Sequence, residues 1–544
     1  MKPLSGMDNL FLQMERGNQY MHVASLGIYD QTTAPGGSVR FKQILEFFSH
    51  RIQKVKVFRR RLVVPPFNID RPYWIDEPSI DVEYHVRHIA LPAPGDWRQL
   101  MIQVARLHSR PLDRSRPLWE AYVIEGLDNI EGIARGSFAF YMKFHHAAVD
   151  GEAGAQIVQL MHSLTSAPDP ETKDQHVVIA DREPTSIELY AQAVASRGAQ
   201  ILDARRLVTS LGLRAGQAGV SLAASGKLLA LGRQFLDSRL TPKVSDPSDT
   251  AEGFKKKPAT RFDEMVSAHR VVDATGLSLA DCATIRAQVA NVTINDIFVA
   301  TCGGAVRRYL DSKGELPEQS LTALMPISTR GADKNKDVGN QVGMVPIPLC
   351  SNMADPIKRL HGAHLGTRDA AGASGILGHD FGAKVIQVLP GFAAQGLITH
   401  GLVPLCNTTV SNVRGPNVPL YLAGAKLQLF LPISIAFNGI GLNMTGFSYN
   451  GVLWVCFAAC RDMLPDPEFF RQCLNDSFAE ILEAASKLHG KDGAKSEPAA
   501  LDKNAAQALI KVAPKRKRKP ASKPTTSEAG RRPRKGAKRG PDHR

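Results

Sequence analysis

Apolar residues recur at helical spacing between positions 41 and 58, at Phe41, Ile44, Leu45, Phe48, Ile52 and Val55, and predict a helix there. The period then changes. Between 137 and 144, Phe138, Phe140, Met142 and Phe144 alternate with their neighbours and define one face of a strand. Beyond it, Ile157, Val158, Leu160, Met161 and Leu164 return to helical spacing. The unit is strand, loop, helix, and the loop holds residues 145–151. A stretch rich in Ala, Leu and Val at 187–240 reads as helical. Further strands are expected at 321–326, 343–348, 408–412 and 452–458, and a further helix at 297–309.

Polar punctuation divides the chain. Pro, Asp, Glu and Thr crowd residues 166–185, and a Lys-containing polar break follows near 241–260. The predicted organisation is a mixed helix–strand region at 1–165, a linker with connecting helices at 166–258, a second mixed region at 259–490 and a tail at 491–544. A length of 544 residues fits two or three domains. The hydrophobic fraction of 43% with 22% charged residues fits a globular body.

The net charge of +15 at first resembles that of a nucleic-acid binder, but its placement changes the picture. Residues 511–544 hold seven Lys and seven Arg against Glu528 and Asp542, which is +12 of the total and leaves +3 for residues 1–510. This Lys/Arg/Pro/Ala/Ser-rich tail has too little apolar surface to fold and is expected to be disordered. Its basic runs suit anionic lipid or nucleic-acid phosphates, and charge alone does not separate the two. The seven cysteines form no C-x-x-C pair, so reduced thiols are expected and no metal centre. The opening MKPLSGMDNLFLQME lacks a signal-peptide apolar run. No uninterrupted apolar stretch reaches the roughly 18 residues of a membrane span. The 187–240 helices, with net positive charge, either pack across a domain junction or lie on anionic membrane.

The chemistry concentrates in His145-His146-Ala147-Ala148-Val149-Asp150-Gly151. A strand ending directly before two histidines sends their rings in different directions, so one can face a channel while the other packs. Histidine, with a free pKa of about 6.5, is suited to take a proton from an attacking hydroxyl. Asp150 can brace the loop, and Gly151 permits a turn or close approach. A bare His pair more often serves packing, and a zinc site needs further ligands that no recognisable spacing supplies. The full H-H-x-x-x-D-G string between strand and helix is far more specific.

That string resembles the signature of the chloramphenicol acetyltransferase-like superfamily, which includes condensation domains and carnitine acyltransferases. More narrowly, the chain resembles the bacterial wax ester synthase/acyl-CoA:diacylglycerol acyltransferases. The resemblance rests on Pro3-Leu4-Ser5, Met7-Asp8, Met21-His22-Val23, Phe58-Arg59-Arg60-Arg61-Leu62, Tyr84-His85-Val86-Arg87-His88, Pro94-Gly95-Asp96-Trp97 and Pro117-Leu118-Trp119. In the second half it rests on Asn295-Asp296, Pro326-Ile327-Ser328-Thr329-Arg330, Gly339-Asn340 and Ser411-Asn412-Val413-Arg414-Gly415-Pro416. It covers roughly residues 1–490 and departs from the family pattern at Arg414, often Pro, and at Asp263, often Asn.

The resemblance implies an α/β (α+β) fold of two chloramphenicol acetyltransferase-like domains, with mixed sheets flanked by helices around a central tunnel. It implies direct attack of a hydroxyl on an acyl-CoA thioester, with His146 as general base, His145 and Asp296 as motif supports, Asp150 as a structural support and Gly151 shaping the loop. Asn295 is expected to touch the oxyanion or substrate. A competing role for Asn295 and Asp296 is to cap the following helix, and Thr293 competes for that position. Pro117, Leu118 and Trp119 are expected to line or support an acyl channel. Ser411-Asn412 and Gly339-Asn340 are expected to be turns near the site. No G-x-S-x-G elbow supplies a serine nucleophile. The implied partners are acyl-CoA as co-substrate, diacylglycerol or a long-chain alcohol, and a membrane surface or lipid droplet. No permanently bound cofactor is expected, and the location is cytoplasmic, against the inner membrane surface or lipid droplets. The alternatives are a relative acylating another alcohol or an amine, or a non-catalytic droplet protein tethered by its tail.

Overall fold

The computed structural model describes residues 1–53, 55–77, 79–149, 151–167, 181–217, 257–328, 342–377 and 381–488. Asp150, Thr329, Arg330, Gly339, Asn340, most of the predicted 166–185 linker, the 218–240 part of the predicted helical region and the tail lie outside the described residues. The described residues all belong to one compact unit.

The strands of the first half are β1 (Lys2–Pro3), β2 (His22–Asp30), β3 (Arg60–Val63), β4 (Tyr73–Asp76), β5 (Val86–Ala90), β6 (Trp119–Glu125) and β7 (Phe138–His145). Those of the second half are β8 (Arg270–Ser278), β9 (Thr322–Ser328), β10 (Val342–Pro348), β11 (Thr408–Arg414), β12 (Tyr421–Leu422), β13 (Ala425–Ile433), β14 (Leu442–Tyr449) and β15 (Val452–Cys460). They form two mixed six-stranded sheets, ordered β12-β13-β2-β7-β6-β5 and β10-β9-β11-β14-β15-β8, and a small sheet β1-β4-β3. β12 and β13 come from the second half yet extend the first sheet, with β13 antiparallel to β2. The two halves are therefore tied by shared strands, and the sheets do not follow the division at 165 and 259.

The helices of the first half are α1 (Gly6–Met14), α2 (Phe41–Ile52), α3 (Val82–His85), α4 (Trp97–His108), α5 (Gly151–Leu160) and α6 (Ser186–Gln217). α1 begins in a capping box, with Ser5 and Asp8 each closing on the other's backbone N–H. The predicted 41–58 helix ends at Ile52, and a separate 3-10 turn covers Lys56–Phe58. α5 ends at Leu160, short of the periodicity, because Ser163 turns out to exchange backbone hydrogen bonds with Tyr421; Leu164 is left exposed.

All eight residues of β7 are buried, so the alternation read from the sequence separates two cores and not core from solvent. Phe138, Phe140, Met142 and Phe144 join the cluster of Phe48, Phe58 and Trp119, while Ala139 and Tyr141 pack with Leu100 and Val104 of α4. Lys143 on that second face is fully buried, donates to the Leu107 and Arg110 carbonyls and pairs with Glu120 at 2.6 Å. A cation on the last carbonyls of α4 complements the helix dipole and pins β7 just before the histidines. On the second sheet, the helix Ile294–Ser312 packs against Pro356–Leu377 and Pro467–Leu488. Its Gly304 permits that approach, since a Cβ there would collide with Ser477 of the one helix and Arg359 of the other. Among the described residues no helix is long and apolar enough to cross a membrane.

Candidate active site

β7 delivers the histidine pair. The His145 N–H donates to the Leu118 carbonyl at 3.0 Å and the His146 N–H to the Met21 carbonyl at 2.7 Å, so the backbone is held from both neighbouring strands. The His145 side chain is completely buried. Its Nδ1 accepts the Ala147 N–H at 3.0 Å, which leaves the ring proton on Nε2, 2.6 Å from Glu15 Oε2. Glu15 also receives Arg114 at 2.8 Å. Burial alone would raise the Glu15 carboxyl, but the hydrogen bonds from His145 and Arg114 bring it below its ordinary value. Burial lowers the His145 pKa, partly offset by Glu15, so the ring is neutral at neutral pH. His22, paired across the sheet with His145, is held well below its ordinary value by burial and by the Lys143 charge. His145 is thus a locked structural ring.

His146 leaves on the other side. Its ring stacks on Phe11 of α1, with centroids 4.0 Å apart and planes 13° from parallel. It borders a cavity of about 1130 Å³ walled by β2, β7, α1, α5, β11 and the segment Leu397–Leu402. Most of the wall is apolar, including Met7, Leu10, Val23, Phe140, Met142, Val158, Met344 and Ile398. Ser25, Tyr29, His162, Ser411, Asn412 and Arg414 are among its polar members. A large apolar cavity with a few convergent polar groups is the usual form of a site for lipid-sized substrates.

The Asn295-Asp296 pair separates into two roles. Thr293, not either of them, caps the helix, with Asp296 completing the capping box. Buried Asp296 accepts hydrogen bonds from His364 at 2.9 Å and Thr367 at 2.6 Å, which outweigh the upward push of burial and lower its pKa. It ties two helices together. Asn295 is free of capping and accepts the Asn412 side-chain N–H at 3.3 Å. Asn412 borders the cavity, and Asn295, which it bonds, does not.

One expectation is narrowed and another is corrected. Pro117, Leu118 and Trp119 are buried but none lines the cavity. Trp119 stacks on His85 at 4.3 Å, donates its indole N–H to the Phe58 carbonyl and lies beside Phe144 on the same sheet face, so the segment supports β7 from its flank. Ser411 and Asn412 are not in a turn; they lie in β11, between β9 and β14 in the second sheet, and both border the cavity. Gly151 opens α5. Of the two departures from the family pattern, Arg414 stands on the cavity wall, while Asp263 pairs with Lys257 at 2.8 Å and accepts Asn407, a structural tie. Sequence reading missed Glu15, Arg114, Tyr29 and His162, none of which sits in a recognisable local spacing.

The wax ester synthase/diacylglycerol acyltransferase catalytic domain matches residues 4–298, and the corresponding C-terminal domain matches residues 338–482. The chain is 32% identical over 475 residues to an O-acyltransferase of Acinetobacter baylyi, covering 86% of this chain and 93% of that one. It is 32% identical over 501 residues to a Mycobacterium tuberculosis protein described as a candidate diacylglycerol O-acyltransferase, covering 89% and 91%. Among solved structures it is similar to the wax ester synthase/diacylglycerol acyltransferase of Marinobacter aquaeolei VT8, with a TM-score of 0.60, 25% identity, and coverage of 89% of this chain and all of that one.

Proposed function

The chain belongs to the wax ester synthase/diacylglycerol acyltransferase family, and from that premise we propose that it transfers a fatty acyl group from acyl-CoA to the hydroxyl of diacylglycerol or of a long-chain alcohol. The observation that carries this reading is the division of labour between adjacent rings. His145 is spent on Glu15, whereas His146 borders an apolar cavity large enough for lipid chains.

In the proposed reaction the His146 ring takes the hydroxyl proton as the oxygen attacks the thioester carbonyl. The new C–O bond gives a tetrahedral oxyanion; the C–S bond then breaks, and the proton returns to the leaving CoA sulfur. No residue forms a covalent intermediate. Asn412, oriented by Asn295, has a second side-chain N–H for the developing oxyanion. Phe11 stacked on His146 restricts ring rotation, which favours a productive approach. Asp150 and Gly151 serve as the loop's support. Substrate entry from a membrane or droplet surface is consistent with α6, whose outer side chains Ile187, Tyr190 and Val194 are exposed while Leu189 and Ala193 face the body.

The test is to supply purified protein with palmitoyl-CoA and, separately, hexadecanol, dioleoylglycerol or a long-chain amine, following product and CoA release. Ester with at least one of the two hydroxyl acceptors is expected. Absence of ester with both overturns the reading, and product from the amine alone replaces it.

A further inference from the structure

One end of the cavity is built differently from the rest. On the first sheet, Val23, Ser25, Gly27 and Tyr29 of β2 stand opposite Phe144, Met142, Phe140 and Phe138 of β7. These residues, except Phe138, border the cavity, and the row leads away from His146 beneath α5. The row ends at Tyr29 and His162, which are 2% and 8% exposed. His162 presents Nδ1 to the Val158 carbonyl at 2.5 Å, which fixes its proton there. Its Nε2 therefore accepts the Tyr29 O–H, at 2.8 Å. The Tyr29 ring is further clamped between Phe138, at 5.3 Å, and the His162 ring, at 5.8 Å.

Gly27 explains where that ring lies. A Cβ on Gly27 would stand 2.7 Å from the Tyr29 hydroxyl oxygen, so the phenol folds back along its own strand over the glycine and crosses the row. The opposite end of the cavity is open: Leu397 and His400 border it and are solvent-exposed. Among the described residues the cavity thus reaches solvent beside Leu397 and His400, and it has a limb that ends at Tyr29 and His162.

We propose that the closed limb holds the acyl chain of the acyl-CoA, and that Tyr29, fixed by His162, is the stop that sets the longest acyl chain accepted. This rests on the transferase reading above. The open mouth suits the acceptor, which in diacylglycerol carries two chains and cannot thread a dead end. The strand supplies the scale. His146 is bonded to Met21, and six residue steps from Met21 to Gly27 span about 20 Å at roughly 3.3 Å per residue. An extended chain advances about 1.3 Å per carbon for C–C bonds near 1.52 Å, so the limb takes about 16 carbons.

The experiment measures ester formation with acyl-CoAs from decanoyl to behenoyl against fixed hexadecanol, and with alcohols over the same range against fixed palmitoyl-CoA. Wild type is expected to fall off steeply for acyl chains beyond about 16 to 18 carbons, the limb length set by the strand rise. Tyr29→Phe, which keeps the ring, retains that limit, while Tyr29→Ala raises it by about four carbons, one ring's length at the same spacing per carbon. Should Tyr29→Ala not fold, Gly154→Leu decides. Gly154 borders the cavity on α5, its nearest neighbour to an added Cβ is Val149 at 3.7 Å, and Leu suits a helix. It is expected to cut turnover of palmitoyl-CoA at least tenfold while decanoyl-CoA turnover is kept. A folded Tyr29→Ala whose acyl profile matches wild type overturns the proposal, as does a folded Gly154→Leu that does so or a shift confined to the alcohol series. If wild type forms no ester with any pair, the transferase reading fails first and takes this one with it.

Discussion

The Glu15 carboxylate receives the proton of His145 at 2.6 Å and the Arg114 guanidinium at 2.8 Å, inside a region where His145 has no access to solvent. Replacing Glu15 by Ala strands the buried His145 Nε2–H, at about 1–3 kcal/mol for a buried unsatisfied donor, while the half-exposed Arg114 keeps solvent and the Leu12 carbonyl. We expect Glu15→Ala to lower the unfolding temperature and to reduce kcat at least tenfold with little change in KM for palmitoyl-CoA, because the loop and not the substrate wall is disturbed. Glu15→Gln keeps an acceptor oxygen and should recover most of the stability. Thermal melts with steady-state kinetics check both, and an unaltered kcat in Glu15→Ala contradicts the positioning role. At this scale the sequence made His146 legible, since a strand ending before H-H-x-x-x-D-G must send two rings apart. It left Glu15 invisible, because that carboxylate lies 130 residues away and meets His145 only through tertiary packing. Asn295 was legible as polar and near the site, but the interposed Asn412 was not.

Among the elements, periodicity located β7, β9, β10, β11 and β15 to within a few residues, and placed the helix Ile294–Ser312. These are segments whose local pattern and burial agree. α5 was overextended because Leu164 keeps helical spacing while the chain leaves to pair Ser163 with Tyr421. The strand exchange is the clearest gap between pattern and fold. Ala425–Ile433 reads as an ordinary strand, and nothing in its own residues says that on the side away from β12 it pairs with β2, about four hundred positions earlier. Register across such a separation is set by matching apolar faces, Phe430 beside Gly27 and Leu431 beside Leu26, which only the folded sheet displays.

At the scale of the molecule, burial holds five histidines among the described residues below their ordinary pKa: His22, His85, His108, His145 and His162, with His108 pushed down to about 3 and His162 to about 4. The unfolded chain binds protons near pH 6.5 that the folded chain refuses. Their contribution to stability is therefore complete above about pH 6.5 and is lost as pH falls toward the folded values, at up to about 1.4 kcal/mol per histidine per pH unit. Melting temperature is expected to be level from pH 7 to 8 and to fall steadily from about 6.5 to 4, the window set by those pKa values; a level profile down to pH 5 contradicts it. The same architecture that buries these rings leaves His146 on the cavity, and the account stands on that distinction. The most direct measurement is ester formation from palmitoyl-CoA and hexadecanol by His146→Ala, with its melting temperature recorded beside that of wild type. A folded variant whose kcat has dropped by about 10²–10⁴, the usual weight of a general base, is the predicted result; near-normal turnover would contradict His146 as the base.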